Sequence, residues 1–308
     1  MSASPLRLRL PATSANLGPG FDTLAIALNV YLEVEAREAD TFTIHATGRG
    51  PEVCGSLERN LLLDVYRKTL AAHHREVKPL ALEVNNGIPL GMGCGSSAAV
   101  RLAGVALAVH FGGLNWDREH ILAEATKLEG HPDNAAASWL GGFVAGCWDG
   151  AKVHAVSFPV PPAWRALVVL PEKPLATSAS RAVLPLSYER VDVVANLQRV
   201  AVLTAAFATG RGELIAEAMR DRMHQPYRSK ACPLLPRLLP LSGTDGILGV
   251  CLSGAGPAVL VLVESPDKLD VVEARVSQTV SGMGAVELLR CEIENGPAKM
   301  APEAIPPS

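Results

Sequence analysis

The chain lacks the features that would tie it to nucleic acid, membrane or a thiol-bound metal. Its 308 residues carry 28 Lys and Arg against 31 Asp and Glu, a net charge of −3 with no long basic run. The electrostatic footprint of a nucleic-acid partner is therefore missing. No apolar run reaches the ~18 residues of a membrane-spanning helix. The N-terminal MSASPLRLRLPA has no apolar signal core. The six cysteines, at 54, 94, 147, 232, 251 and 291, never stand as C-x-x-C. They read as small buried hydrophobes in a reducing compartment. A soluble, cytoplasmic protein without nucleic-acid or membrane partners is the expectation.

Two familiar phosphate loops are also missing. The chain has no Gly-Lys pair, which excludes the G-x-x-x-x-G-K-[ST] loop. The dinucleotide pattern G-x-G-x-x-G fails because Ser96 stands where the third glycine belongs.

What the sequence does have is PLGMGCGSSAAV, from Pro89 to Val100. Gly91, Gly93 and Gly95 let backbone N–H groups approach a ligand closely. The strand predicted at Leu80–Val84 enters the loop, and a helix predicted over Ala98–Phe111 leaves it. Ser96 or Ser97 is the expected helix cap. Strand, glycine loop and helix N-terminus together make an anion site. A plain strand-to-helix turn reads equally well from this stretch alone.

Two further polar islands stand out. PATSANLGPGFD (11–22) places Thr13, Ser14, Asn16 and Asp22 in a loop between apolar strands. An Asn that donates and accepts, beside an Asp that only accepts, suits an amino-alcohol or an ammonium group. Asx-turn scaffolding is the other reading. EGHPDN packs Glu129, His131, Asp133 and Asn134 into six residues. Glu129 is a hard oxygen ligand suited to Mg²⁺, and the rest could meet a substrate hydroxyl. Helix capping explains part of this cluster too.

Elsewhere, hydrophobic alternation predicts strands at Leu6–Leu10, Thr23–Ala36, Thr41–Gly48, Trp164–Pro171 and Ala285–Glu292, and a pair within Gly246–Glu264. Helices are expected at Asn60–His73, Asp117–Leu128, Val191–Thr209, Gly212–Arg222 and Pro266–Ser281. Gly150–Pro162 is the candidate lobe boundary. The expected organisation is 1–160, 161–294 and a disordered tail at 295–308.

The three islands, in this order, resemble the GHMP kinases, whose phosphate loop reads P-x-x-x-G-L-G-S-S-A. Cys94 stands here where leucine is usual. PATSANLGPGFD, EGHPDN, TSASRAVLP (177–185), HQPYR (224–228) and SGAGP (253–257) look like the homoserine kinase branch. The resemblance covers about residues 5 to 290.

It implies an α+β fold of two lobes with the active site between them. The N-terminal lobe would be like ribosomal protein S5 domain 2, and the C-terminal lobe ferredoxin-like. It also implies transfer of the γ-phosphate of ATP to the side-chain hydroxyl of L-homoserine, a step of threonine biosynthesis, by a homodimer. Nucleotide contacts fall on Asn60, Pro89, Leu90, Gly91, Met92, Gly93, Cys94, Gly95, Ser96, Ser97, Ala98 and Ala99. Mg²⁺ falls to Ser97 and Glu129, with Glu124 as the fallback carboxylate. The amino-acid substrate falls to Asn16, Asp22, His131, Thr177, Arg181, Arg228 and Gly254. Asp133 and Asn134 join Glu129 in catalysis, with Asp133 either a general base or a bystander to proton transfer onto the phosphate. A kinase of a mevalonate-like or sugar-like alcohol and a non-catalytic binding protein on the same fold are the rival readings.

Overall fold

Leu6, Leu8 and Leu10 alternate with Arg7 and Arg9, and the structure uses that alternation directly. In the computed structural model, which describes residues 3–302, the three leucines are at most 2% exposed. The arginines face the other side and pair with Glu35 and Glu33 at 2.8 and 3.3 Å. A period of two on a half-buried strand produces this division.

This strand, β1 (Leu6–Ala15), begins a seven-stranded sheet with β2 (Leu24–Glu38), β3 (Thr43–Gly48), β4 (Leu80–Asn86), β5 (Phe143–Trp148), β6 (Val153–Phe158) and β11 (Lys299–Pro302). The hydrogen-bonded order is β11-β1-β2-β4-β3, with β5 joining β2 and β6 joining β5. Between these strands lie helices α1 (Pro51–Cys54), α2 (Leu61–Ala72), α3 (Ser96–Gly112), α4 (Arg118–Glu129) and α5 (Asp133–Leu140). Helix α3 is apolar nearly all round, with eleven buried residues, as a helix enclosed by a core must be. A Cβ on its Gly104 would lie 2.7 Å from Val65, so glycine there sets how closely α2 can approach.

The second sheet holds β7 (Arg165–Pro171), β8 (Ile247–Leu252), β9 (Val259–Val263) and β10 (Val286–Glu292), in the order β10-β7-β9-β8 and antiparallel throughout. That is the 4-1-3-2 order of a split βαβ, ferredoxin-like unit. Its helical connections hold α6 (Thr177–Ala182), α7 (Arg190–Thr209), α8 (Ile215–Ala218), α9 (Gln225–Arg228), α10 (Leu234–Leu238) and α11 (Leu269–Thr279). A separate apolar cluster, including Leu167, Val169, Val261 and Val276, fills the space between this sheet and α10 and α11.

Several expectations change. Helix α3 starts at Ser96, with Gly95 in the N-cap position at φ 71°; the serines lie inside the first turn and cap nothing. The helix expected over Gly212–Arg222 is a short 3₁₀ turn and then α8. Strand β5 was not anticipated. By length and composition α7 could cross a membrane, at mean hydropathy 1.4. Its Leu203, Ala206 and Phe207 are buried against the protein, while most of the helix is not.

The tail is the clearest correction. Within 295–302 the chain is ordered, not free, because it has partners on the first sheet. Asn295 and Val160 exchange two hydrogen bonds, at 2.8 and 3.1 Å. The N–H of Ala298 donates to Trp139 at 3.0 Å, and β11 pairs antiparallel with β1. The rest of the expected tail, 303–308, lies outside the described residues. Deleting 295–308 should destabilise the first sheet by about 2–3 kcal/mol, lowering Tm by roughly 3–5 °C for a chain of this size. A melting curve that matches the full chain would refute this.

Candidate active site

Between the two sheets, a cleft gathers residues from six separate stretches of sequence. Asn16, Asp22, Pro89, Gly91, Gly93, Cys94, Gly95, Ser96, Ser97, Glu129, His131, Asp133, Asn134, Thr177, Arg181, Arg228 and Gly254 all line it.

The glycine loop is held from behind. The carbonyl of Gly91 accepts from Leu175 N–H (3.0 Å), that of Met92 from Ala258 N–H (3.2 Å) and that of Cys94 from Thr13 N–H (3.1 Å). The Gly93 carbonyl accepts from the Ser253 hydroxyl at 2.9 Å. In a trans peptide the next N–H points opposite its carbonyl, so these bonds turn the amides of Met92 to Gly95 toward the cleft. The amides of Ser96, Ser97 and Ala98 follow at the free N-terminus of α3. Among the described residues, none of the seven N–H groups from Met92 to Ala98 donates to a protein acceptor. A row of unpaired amides at a helix N-terminus is an anion cradle. Glycine is compulsory at two points. A Cβ on Gly95 would meet Thr13 Oγ1 at 1.9 Å, and one on Gly93 would meet the Ser253 carbonyl at 2.1 Å.

Not every predicted nucleotide residue faces this row. Ala99 donates its N–H to Gly95 and is wholly buried, so the helix that it starts removes it from the site. Met92 and Ala98 offer only their backbone. Leu90, Gly91, Ser96 and Ser97 also border a mainly apolar cavity of about 250 Å³ with Val53, Leu61, Leu62 and Val100. Asn60 lines it too, but its Oδ1 caps α2 at Leu62 and Leu63, and its Nδ2 donates to the Cys54 carbonyl. The motif residue is thus chiefly a helix cap.

At the α3 end of the row, Ser97 Oγ donates to Glu129 Oε2 at 3.3 Å. The two oxygens form a compact hard donor set, and Arg101 contacts both. Arg101 was not foreseen; only its place one turn after Ser97 could have signalled it. Glu124 is not at the cleft and pairs with Lys127 at 3.5 Å. Asp133 is 1% exposed. Its Oδ1 accepts from His131 Nδ1 (2.6 Å), Asn134 N–H (2.8 Å) and Asn134 Nδ2 (3.2 Å). Asn134 is held in turn by the Thr13 hydroxyl, which donates to its Oδ1 at 2.7 Å. Burial pulls the pKa of His131 down, but the bond to Asp133 and the charges of Asp133, Asp22 and Glu129 outweigh it and raise the pKa above 6.5.

The remaining wall is charged. Arg181 and Asp22 form a two-pronged ion pair at 2.6 and 3.0 Å. Asp22 itself sits at φ 56°, with its N–H donating to Asn16 Oδ1 at 3.0 Å. Asn16 Nδ2 donates to the Gly254 carbonyl at 2.8 Å. Asn16 therefore joins the N-terminal loop to the SGAGP turn, and its side chain has little left for a ligand. Arg228 is 1% exposed. It donates to the carbonyls of Ser180 and Gly254 and faces His224 Nδ1 at 3.2 Å. His224 Nε2 lies 2.7 Å from the Gly18 carbonyl and must donate to it, which leaves Nδ1 to accept from Arg228. Burial keeps His224 neutral by lowering its pKa. Burial, then the positive charge of Arg181, lowers the pKa of Arg228. Among the described residues no carboxylate hydrogen-bonds Arg228. A buried guanidinium without one calls for an anionic ligand. Thr177 stands exposed at the start of α6, at the cleft rim.

A glycine-loop amide row, a Ser97–Glu129 oxygen pair at its end and a charged pocket, set between these two sheets, fit a small-molecule kinase of the GHMP type. The sequence matches the GHMP kinases N terminal domain over residues 60–142 and the GHMP kinases C terminal domain over residues 203–282. It is 45% identical to the homoserine kinase of Solibacter usitatus, spanning 86% of this chain and 88% of that one. It is 40% identical to the homoserine kinase of Moorella thermoacetica, over 82% and 86% of the two chains. The crystal structure of homoserine kinase from Cytophaga hutchinsonii superposes with a TM-score of 0.82 at 26% identity, covering 97% and 98%. The chain belongs to the homoserine kinase family.

The raised His131 pKa sets a pH dependence. The protonated imidazolium is favoured in the fold, so its stabilising effect is complete below the unfolded value near 6.5 and fades as pH rises through the folded value. A His131→Gln substitution should therefore lower Tm most at pH 5.5–6 and progressively less above neutrality. A pH-independent difference in Tm would show that His131 is not held as a cation.

Proposed function

We propose that the cleft transfers the γ-phosphate of ATP to the side-chain hydroxyl of L-homoserine, giving O-phospho-L-homoserine for threonine biosynthesis. The observation that carries this reading is one cleft holding both the amide row Met92–Ala98 and the charged trio Asp22, Arg181 and Arg228.

The amides take the phosphate oxygens, matching developing charge with fixed dipoles. The apolar cavity beside Leu61, Leu62 and Val100 takes the adenine. Ser97 and Glu129 hold Mg²⁺; their oxygens, 3.3 Å apart, are the hard donors that this ion prefers. Bound there, the ion would neutralise phosphate charge, the main demand of phosphoryl transfer.

L-Homoserine is a zwitterion. It can replace the Asp22–Arg181 ion pair without changing the net charge of the pocket. Its ammonium goes to Asp22, and its carboxylate to Arg228 and the released Arg181, whose planar forks suit it. Mevalonate has the carboxylate but not the ammonium and would leave Asp22 unpaired, at a penalty typical of a stranded charge. Thr177 and the Gly254 backbone complete this pocket, and Asn16 holds Asp22 in place. His131, Asp133 and Asn134 border the hydroxyl. Three donors fill Asp133 Oδ1, which leaves Oδ2 to receive the hydroxyl proton; direct passage to the phosphate is the alternative.

The homodimer and the cytoplasmic setting belong to the same proposal. Val191, Val194 and Leu197 lie exposed along α7, an apolar stripe that suits a second copy of the chain.

With Mg-ATP, ADP release should occur with L-homoserine and be absent or far weaker with mevalonate, L-serine and L-threonine. Glu129→Ala should lower turnover at least ~100-fold, the scale of losing a metal-centred charge in the transition state. Turnover with mevalonate instead would reassign the charged pocket, and turnover with none would remove the kinase reading. Asp133→Asn separates the proton routes. A true base predicts a kcat fall of roughly 10²–10⁴ with KM nearly unchanged, whereas a normal kcat rules the base out.

A further inference from the structure

Arg101 has no part in the chemistry above, yet it occupies the point where the metal is assigned. It lies one turn beyond Ser97 on α3. Its Nη1 contacts the Ser97 hydroxyl and Glu129 Oε2 together, the same oxygens that the ion would use. The side chains of Arg101 and Glu129 are only 21% and 11% exposed. A carboxylate so far from water requires a nearby cation. Glu129 has Arg101 in contact, while His131 Nε2 stands 3.9 Å from its other oxygen. Arg101 and a divalent ion would compete for the same two oxygens, Ser97 Oγ and Glu129 Oε2. A divalent ion arriving while Arg101 is in place meets a like charge and finds Ser97 Oγ and Glu129 Oε2 already engaged.

We propose that Arg101 guards the metal site. It is the counter-ion of Glu129 while the cleft holds no nucleotide, and it withdraws from Ser97 and Glu129 when Mg²⁺ enters with the nucleotide phosphates. The guanidinium keeps the two ligands facing each other, as the metal will need them. It also opposes entry of a bare divalent ion. Metal entry is thereby linked to nucleotide, whose phosphate oxygens supply further ligands to the ion and an anion for the displaced guanidinium. Arg101 is a positioning residue. The proposal rests on the assignment of Ser97 and Glu129 as the metal ligands.

The test is binding of Mn²⁺ to the full-length protein without nucleotide, read from the electron paramagnetic resonance of free Mn²⁺. Arg101→Met should bind Mn²⁺ at least about tenfold more tightly than the native protein, the one pK unit or more that an adjacent charge shifts a carboxylate. Arg101→Lys, which keeps the charge, should stay near the native value. Equal affinity in the native protein and Arg101→Met overturns the proposal, as does tightening by Arg101→Lys to the same degree. The double variant with Glu129→Gln separates the two assignments. If it loses the tighter binding, the metal reading stands whatever Arg101 does; if it binds as tightly as Arg101→Met, the ion sits elsewhere and both readings fall. Thermal melts establish that each variant folds, and Arg101→Gln makes the same comparison should Arg101→Met not fold.

Discussion

The site depends on where four carbonyl groups point. Those of Gly91, Met92, Gly93 and Cys94 are tied to donors on both sides of the cleft: Leu175, Ala258 and Ser253 from one lobe, and Thr13 from the other. Peptide planarity does the rest, because a carbonyl anchored behind the loop forces the next amide to face outward. The anion cradle is thus a product of tertiary packing as much as of glycine content. It exists only when the β1 loop and the SGAGP turn are both in place, and that explains why motifs more than two hundred residues apart belong to one site. Asn16 strengthens the same junction by bonding to Gly254.

Charge in the cleft is arranged so that nearly every ion already has a partner. Asp22 holds Arg181, Glu129 holds Arg101, and Asp133 holds His131. Arg228 is the exception, sharing only neutral groups. Isolated buried charges are expensive, so these pairings lower the cost of gathering so many charges in one cleft.

Much of this was legible in the sequence, for identifiable reasons. The alternation in LRLRL and the breakers around Pro89–Ser97 report local geometry, which period and glycine placement encode. The site residues were legible through the motifs that carry the resemblance; periodicity alone left Asn16, Asp22 and His131 as plausible turn residues. What stayed hidden was long-range. Nothing near Arg101 says that Glu129 lies opposite. Nothing near Asn60 says that its amide is occupied by Cys54, Leu62 and Leu63. The polar, proline-bearing end of the chain reads as disordered because its order comes from Asn295, Ala298 and β11 meeting partners at Val160, Trp139 and β1. Strand β5 drew no assignment, because its apolar run is short and follows directly on Gly141-Gly142.

The pairing of β11 with β1 has a consequence for the order in which the molecule is made. Strand β1 is completed on one side by a segment that is synthesised after the whole second lobe. Until then β1 presents an open edge, and an unpaired edge is a template for wrong partners. The second lobe has both edges and its own apolar cluster within residues 165–292. It can close on itself as it leaves the ribosome, while the first lobe waits for Lys299–Pro302. The lobe encoded first is therefore the one finished last, and the nascent protein is most exposed to aggregation in the interval between them.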